Sequence, residues 1–464
     1  MTNPAPLTEV LPEIKALPPQ YSEDALAAKF TDAHLTNLRY THELGKYHRL
    51  TRTPEGGLFW ERDTVLSTFD KIRDFIREEA MLREEESKQR QLCKASTISA
   101  VEQLVRCDQR TAMTVDQWDS HDMLLNTTAG IVDLETGKLL PADPLKFFTK
   151  ITACGPSFER PELWLSCLNT WTAGDEELQE FLKRVLGYCL TGNTSEQQFM
   201  FVSGPGRNGK GVMLNTVSGI MGSDATEYSR IAPPDVFTVP KSGEKHPTAL
   251  ARLVGCRMAL ATETESNSKW AERQLKALTG GDRIAARYMR QDFFEFVPKF
   301  KLVISGNHRP TLSTVDEAIR SRINIVPFDV IIPREERDPQ LSSKLRAEWP
   351  QILGWMIQGC LEWQRDGLNP PESVRLATDE YLESQDLMGQ WIGECCLLGP
   401  NKRGKSPDLY KSWIEWCELN NQYKTSQRAF LGSLKERPKI RAIHTASGNF
   451  IEGIGLLAEG GYTV

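Results

Sequence analysis

Residues 201–215 read FVSGPGRNGKGVMLN, and the class of fold follows from this glycine-rich segment. Gly204 is followed after four residues by Gly209 and Lys210, which is the spacing of a loop whose backbone N–H groups bind phosphate oxygens. The apolar run QFMFVS (198–203) predicts a buried strand before the loop, and we expect a helix after it, as far as about Met221. The alternative interpretation is a tight glycine turn that joins a strand to a helix.

The loop departs from the usual pattern at Gly211, where a serine or threonine hydroxyl normally helps to hold Mg²⁺. Because Mg²⁺ usually keeps several waters, a water can replace this ligand. We therefore predict a working nucleotide site for ATP and Mg²⁺ rather than a degenerate one. The expected nucleotide-binding residues are Gly204, Pro205, Gly206, Arg207, Asn208, Gly209, Lys210, Gly211 and Val212.

Three more apolar runs follow the loop, at 257–263, 300–307 and 323–328, with helical stretches between them. This alternation predicts an α/β core with a parallel sheet, whose ligands bind at the carboxyl ends of the strands.

Polar side chains stand at those carboxyl ends. Glu263 and Glu265 end the second run in the motif ATETE, and we predict that they hold Mg²⁺ and activate the attacking water. Asn307 ends the third run, SGN, where it could contact the γ-phosphate or the lytic water. The alternatives are two solvated glutamates and a turn asparagine.

Two arginines, Arg320 and Arg322, lie just before the fourth run in DEAIRSRINIVPF (316–328). An arginine delivered to the γ-phosphate of a neighbouring subunit would stabilise the transition state. The alternative is a surface helix in which the arginine pairs with Asp316 or Glu317.

Between the acids and Asn307, the runs RIAARYM and FFEFVP predict a β-hairpin inserted into the sheet order. We expect its cations and its aromatics Tyr288 and Phe293 to bind single-stranded nucleic acid, since cations contact phosphates and rings stack on bases. The alternative is a structural hairpin with inward-facing aromatics, and Phe294 and Phe296 are expected to pack inward. The predicted DNA-binding residues are Arg283, Arg287, Tyr288 and Arg290.

The composition is that of an ordinary globular protein. Of 464 residues, 40% are hydrophobic and 25% charged, so the chain should form several domains. The net charge of −6 argues against a uniformly basic protein but leaves room for a local basic channel. Ten cysteines without a CxxC pair suggest reduced thiols, and the absence of an apolar leader or an 18-residue apolar run leads us to expect a cytoplasmic protein without a membrane anchor.

We expect six segments along the chain. The first is a flexible tail, the second an α+β domain, the third a helical collar and the fourth the ATPase core. The fifth is a helical segment, and the sixth is a small basic module. Between residues 401 and 445 this module has ten lysines or arginines and four acids. In this order, the six segments span residues 1–22, 23–165, 166–195, 196–335, 336–395 and 396–464.

Together the motifs GPGRNGKG, ATETE, LKALTGGDRIAARYMRQDFFEFVPKFKLVISGNHRP and DEAIRSRINIVPF resemble the helicase part of the phage and plasmid primase-helicases, which are similar to the poxvirus type and belong to helicase superfamily 3. About 400 residues share the resemblance, including a preceding N-terminal domain and a terminal winged-helix-like module. It implies an AAA+-like ATPase that forms a ring, usually a hexamer, and moves 3′→5′ on single-stranded DNA.

The resemblance also implies individual roles. Lys210 corresponds to the phosphate lysine, Glu263 to the first Walker B acid with Glu265 as its partner, and Asn307 to the sensor. Arg322 is the first choice for the arginine finger and Arg320 the second. Glycine at position 211 also occurs in this family.

Family members often carry a primase domain upstream, but only about 50 residues precede the matched region here. We therefore expect a helicase whose priming partner acts in trans or is absent. The basic module could touch origin duplex DNA. Two alternatives stay open: an initiator that binds an origin without unwinding it, and an ATP-binding scaffold that recruits a primase.

Overall fold

The computed structural model describes residues 18–222, 226–239, 248–262, 268–287, 289, 292–312, 315–420, 422, 424–435, 437, 439–445 and 448–457. Within these residues the fold is mixed α/β, with a parallel sheet at its centre, α+β structure before it, and helices and a small α+β module after it.

The first part of the chain packs helices against a four-stranded sheet of order β3-β2-β1-β4. Apolar residues of the helices and of β1 and β2 form a core of their own, centred on Phe30, Ile76 and Val101. The elements are α1 (Glu23–His34), β1 (Leu38–Thr41), β2 (Lys46–Arg52), β3 (Leu58–Arg62), α2 (Ser67–Met81), α3 (Glu86–Leu92), α4 (Ala95–Cys107) and β4 (Ala112–Met113).

A three-stranded meander follows, formed by β5 (Leu124–Thr127), β6 (Gly130–Asp133) and β7 (Lys138–Leu140). The sequence of residues 124–143 predicts one β-hairpin with its turn at 135–137. This turn joins β6 to β7, but β5 also pairs with β6 through a two-residue connection. The predicted single hairpin is therefore one half of a longer meander.

Two helices connect this part to the central sheet: α5 (Glu162–Trp171) and α6 (Glu176–Tyr188). The helical spacing of apolar residues at 175–190 predicts a helix, and α6 confirms it; Asp175 caps α6 by accepting from the N–H of Leu178 at 2.9 Å. Its apolar face packs against a long helix after the sheet, α12 (Trp349–Asp366).

The central sheet has five strands in the order β14-β8-β13-β10-β9, all parallel. They are β8 (Phe199–Ser203), β9 (Ser229–Ile231), β10 (Met258–Thr262), β13 (Lys301–Gly306) and β14 (Ile323–Pro327). The four strands predicted from apolar runs are present. The short edge strand β9, with only three residues, carries no comparable apolar run and was not predicted.

Both faces of this sheet are buried, as a parallel sheet requires. Along β8, Met200 and Val202 point to one core with α5, α6, α12 and α7 (Lys210–Ile220), while Phe199 and Phe201 point to a second core. The second core is closed by α9 (Glu272–Gly280) and α13 (Glu372–Gln385). The period-2 alternation of a strand thus gives each face its own packing layer.

The other elements around the sheet are α8 (Thr248–Ala251), the hairpin β11 (Ile284–Arg287) and β12 (Phe293–Phe296), α10 (Glu317–Arg320) and α11 (Leu341–Ala347). The inserted hairpin is confirmed, with Arg287 opposite Phe293 in its register.

The chain ends in a module with its own core around Trp391, Trp413 and Phe430. Its elements are α14 (Leu387–Cys395), β15 (Cys396–Lys405), α15 (Ser406–Leu419), α16 (Gln427–Lys435), β16 (Arg441–Thr445) and β17 (Gly448–Leu456), and the strands form an antiparallel sheet of order β15-β17-β16.

Candidate functional site

The glycine-rich loop connects β8 of the central sheet to α7, as predicted. Its residues Gly206, Arg207 and Gly209 have φ values of +88°, +56° and +87°, a left-handed conformation that glycine adopts without strain. Gly204 lies so close to β14 that a β-carbon there would be 2.9 Å from the carbonyl carbon of Phe328. Glycine is therefore favoured by backbone conformation at 206 and 209, and it is required by close approach at 204.

Lys210 opens α7 and is buried beneath the loop, with only 5% of its surface exposed. Its Nζ donates to the carbonyl oxygen of Gly204 at 2.8 Å and to Oδ1 of Asn307 at 3.4 Å. Burial lowers the pKa of Lys210, while the nearby carboxylate of Asp329 acts in the opposite direction. The loop thus holds one buried cation without a carboxylate hydrogen-bonded to it among the described residues, which suits an anionic ligand.

Asn307 follows β13, the strand that lies between β8 and β10. A β-carbon on Gly206 would lie 3.7 Å from the Asn307 amide nitrogen, so this side chain faces the first half of the loop. The structure therefore brings Lys210 and Asn307 together, although 97 residues separate them along the chain.

The loop rests on Trp171, the last residue of α5, and the sequence analysis did not identify this contact. A β-carbon on Gly209 would lie 2.5 Å from Cε2 of Trp171 and closer still to Nε1. Trp171 is buried and meets Trp164 edge-on at 5.8 Å, and Trp164 meets Trp355 of α12 at 5.6 Å. The boundary expected at 165/166 falls within α5, so the floor of the loop comes from the segment that precedes the central sheet.

A cleft of about 510 Å³ opens beside the loop. One wall is the end of β8 and the start of the loop, and the other is the segment that follows β13. The cleft is lined by Ser203, Gly204, Pro205, Asn307, His308, Arg309 and Thr311. Arg309 was not among the predicted site residues, because HRP after the asparagine gives no motif of its own.

The predicted acids Glu263 and Glu265 lie outside the described residues. The strand before them, β10, ends at Thr262, which pairs with Ser305 of β13, two residues before Asn307. Among the residues that the structure describes, no group of three or more His, Cys, Asp or Glu side chains could hold a metal ion.

Arg320 and Arg322 lie at the opposite edge of the sheet. The carbonyl of Arg322 accepts from the N–H of Phe199, where β8 begins, whereas the loop follows the residue where β8 ends. Five residues of extended strand separate the two edges by about 16 Å. Neither arginine can therefore reach the phosphate loop of its own chain.

The two arginines differ in their contacts. Arg320 is exposed on α10 and forms an ion pair with Asp379 at 3.6 Å, so the alternative of a surface helix with a salt bridge holds for this residue with a different partner from Asp316 or Glu317. The guanidinium of Arg322 donates to the carbonyl of Ala318 at 2.6 Å, and its buried Nε has no hydrogen-bond partner among the described residues.

The hairpin presents a mixed basic and aromatic surface. Arg283 is exposed, and the guanidinium of Arg287 lies 4.9 Å from the ring centre of Phe293, which is itself 61% exposed. Phe296 packs against the sheet core as expected, and the half-buried Phe294 lies against Phe296. The predicted residues Tyr288 and Arg290 lie outside the described residues.

The C-terminal module exposes cations on α16 and on its strands. Phe430 and Leu434 bury one face of α16, which leaves Arg428 and Lys435 exposed on the other. Arg441 is exposed on β16. None of these three forms an ion pair with a described acid, whereas Arg437 of the same module pairs with Asp386.

The described helices include none that is both long enough and apolar enough to cross a bilayer. The ten cysteines are free, as expected.

Comparison with solved structures finds the apo structure of the NrS-1 C-terminal region, with a TM-score of 0.49 and 10% sequence identity. The match covers 94% of this chain and 100% of that chain.

Comparison with curated sequences finds viral relatives of low identity. The putative helicase L207/L206 of Acanthamoeba polyphaga mimivirus is 25% identical over 333 residues, which is 65% of this chain and 34% of the relative. The putative helicase 022R of Frog virus 3 is 26% identical over 297 residues, or 60% of this chain and 30% of the relative. This chain therefore spans about a third of the length of these curated relatives.

Two protein families match separate parts of the chain. Residues 27–187 match the family described as D5 N terminal like, and residues 201–322 match a family of unknown function, DUF5906. The second range contains the phosphate loop, Asn307 and both arginines. This chain is therefore similar to the D5 N-terminal-like family over residues 27–187, and over a longer part of its length to viral proteins named as putative helicases.

Proposed function

We propose that this chain is an ATP- and Mg²⁺-dependent DNA helicase of superfamily 3 that acts as a homohexameric ring, moving 3′→5′ during replication of a phage, plasmid or other mobile element. The proposal rests on one observation. At the carboxyl edge of a parallel sheet, Nζ of Lys210 under the phosphate loop lies 3.4 Å from Oδ1 of Asn307, which follows β13.

In this proposal the loop N–H groups and the N-terminus of α7 bind the phosphates of ATP, and Lys210 exchanges its contact with Gly204 for the β- and γ-phosphates. Asn307 would orient the γ-phosphate or the attacking water. Bound Mg²⁺ supplies charge neutralisation of the phosphates, and Glu263 and Glu265 are the residues proposed to hold it, together with water. The position of β13 between β8 and β10 supports an AAA+-like core, because it sets the sensor between the loop and the acids.

The two arginines support hydrolysis between subunits. Since neither can reach the loop of its own chain, an arginine finger must act on a neighbour. Arg322 is the better candidate, because within the described chain its guanidinium donates to a main-chain carbonyl and forms no ion pair, whereas Arg320 already has a carboxylate partner in Asp379.

Two surfaces support DNA as the substrate. The hairpin carries Arg283 and the pair Arg287 and Phe293, which suit single-stranded phosphates and bases. The order α14-β15-α15-α16-β16-β17 supports a winged-helix-like module, in which the exposed cations of α16 and β16 would contact origin duplex DNA.

The test is hydrolysis and strand displacement by the purified chain. We expect DNA-stimulated ATP hydrolysis that is lost in Lys210→Ala and kept in Lys88→Ala, a matched change at an exposed lysine of α3. If Lys210→Ala hydrolyses ATP as the native chain does, the nucleotide site is assigned wrongly. A forked duplex then separates the alternatives, because an origin-binding initiator or a primase-recruiting scaffold would release no strand.

A further inference from the structure

The cleft beside the phosphate loop contains a cation with no role in the proposal above, Arg309. It lies two residues after Asn307 and lines the cleft together with Gly204 and Pro205 of the loop. Its Nε donates to Oγ of Ser203 at 3.0 Å. Because Ser203 ends β8 directly before Gly204, the guanidinium of Arg309 lies against the root of the loop.

The charge of Arg309 is not neutralised by a carboxylate of the described chain: no acid there forms an ion pair with it. Its single hydrogen bond uses Nε, and the two Nη groups have no hydrogen-bond partner among the same residues. A guanidinium carries five N–H donors in a planar fork that matches phosphate oxygens. Most of the donor capacity of this half-buried side chain is therefore available to a ligand in the cleft.

The backbone that carries Arg309 is held from two sides. The hydroxyl of Tyr381 on α13 donates to the carbonyl of Pro310 at 2.5 Å, and the N–H of Leu312 donates to Oε1 of Gln385 at 3.1 Å. On the other side, the N–H of Thr311 donates to the carbonyl of Ser268 at 2.9 Å. The guanidinium is thus presented by an anchored segment, so little conformational entropy opposes its binding to an anion.

We propose that Arg309 binds the terminal phosphate of a nucleoside triphosphate held by the loop of the same chain, and that Ser203 holds its guanidinium when the site is empty. The side chain lies on the Asn307 side of the loop, where the γ-phosphate is expected. This role is in cis and differs from that of Arg322, whose position at the far edge of the sheet restricts it to a neighbouring subunit. The inference rests on the proposed nucleotide site and deepens it.

The test compares ATP with ADP, because only ATP has the phosphate that Arg309 would contact. Arg309→Gln removes the charge but keeps a hydrogen-bond donor. We expect it to weaken binding of a non-hydrolysable ATP analogue by roughly ten- to a hundredfold and binding of ADP by less than about threefold, as loss of one charged hydrogen bond implies. Fluorescence titration or calorimetry on the full chain measures both affinities.

The matched control is Arg375→Gln on α13, an exposed arginine outside the cleft, which should bind both nucleotides as the native chain does. Circular dichroism checks that each variant is folded, and Arg309→Met replaces the glutamine variant if the latter fails to fold, with the same expectation. Unchanged affinity for the ATP analogue would overturn the inference, and so would equal losses for ATP and ADP, which would mean that Arg309 only positions the loop.

Failure of the inference and failure of the proposed function give different results. If Lys210→Ala abolishes nucleotide binding while Arg309→Gln binds ATP normally, the nucleotide site stands and the role of Arg309 does not. If the native chain binds neither nucleotide, both are refuted.

Discussion

The contact between the phosphate loop and Trp171 leads to opposite predictions for two glycines of the same motif. At Gly209, alanine must adopt a φ of +87°, which costs about 1–2 kcal/mol for a residue with a side chain. Its β-carbon would also lie 2.5 Å from Cε2 of the buried Trp171, and relief of such an overlap costs about 1–3 kcal/mol. Gly209→Ala should therefore destabilise the loop by about 2–5 kcal/mol.

Gly211 is the matched control. It lies in the first turn of α7, and a β-carbon there would meet nothing within 4 Å. Since alanine is favoured over glycine inside a helix by about 0.5–1 kcal/mol, Gly211→Ala should be neutral or slightly stabilising. Gly211→Ser should fit equally well and would restore the hydroxyl that is usual at this position.

The assay is binding of a fluorescent ATP analogue together with the midpoint of thermal unfolding. At about 1.4 kcal/mol per tenfold, the lower limit of 2 kcal/mol predicts that Gly209→Ala weakens ATP binding by roughly 30-fold, whereas Gly211→Ala binds normally. Adding Trp171→Phe to Gly209→Ala should recover part of the loss of ATP binding, because the smaller ring lacks the indole nitrogen that overlaps the β-carbon, while the overlap at Cδ1 and the backbone strain stay. Equal behaviour of the two alanine variants would refute the packing of the loop on Trp171.

Three further predictions test other parts of the molecule. The variants Arg322→Ala and Lys210→Ala should each fail to hydrolyse ATP when measured alone. Mixing the two variants should restore some ATP hydrolysis, because a mixed ring contains sites with both native residues. No recovery on mixing would contradict a site shared between subunits. Arg287→Ala should weaken binding of single-stranded DNA and reduce the slope of log affinity against log salt by about one, and an unchanged slope in a salt titration would exclude a phosphate contact. Burial lowers the pKa of Lys301 to about 7 from 10.5, so above pH 7 the unfolded chain binds more protons than the folded chain. The free energy of unfolding should therefore rise by about 1–2 kcal/mol between pH 7 and 8.5. In denaturant unfolding, Lys301→Met should remove this rise, and an unchanged pH dependence would refute the lowered pKa of Lys301.

The sequence was sufficient for the parts of the fold that local patterns specify. Apolar runs located four of the five central strands, and the helix at 176–188 could be predicted from its spacing and its Asp175 cap. The glycines of the loop were recognised because backbone N–H groups bind phosphate only in conformations that glycine permits. The edge strand β9 was missed, because three residues carry too little periodicity and its existence depends on pairing with β10.

Contacts across the fold needed the tertiary structure. No local pattern connects Trp171 to Gly209 or Arg309 to Ser203, since these pairs are 38 and 106 residues apart and meet only when the sheet is assembled. The sheet order, with β13 between β8 and β10, likewise follows from long-range pairing and not from the order of strands along the chain.

The sequence by itself therefore determined which residue types stand at which ends of the strands, and from them it predicts a phosphate loop, acids and an asparagine after buried strands, and arginines upstream of the last strand. The tertiary structure alone decided the geometry, namely that Asn307 and Arg309 face the loop in the same chain while Arg322 faces away from it. The physical reason is that residue type and spacing govern local backbone conformation, whereas the direction in which a side chain acts depends on the edge of the sheet to which long-range packing assigns it.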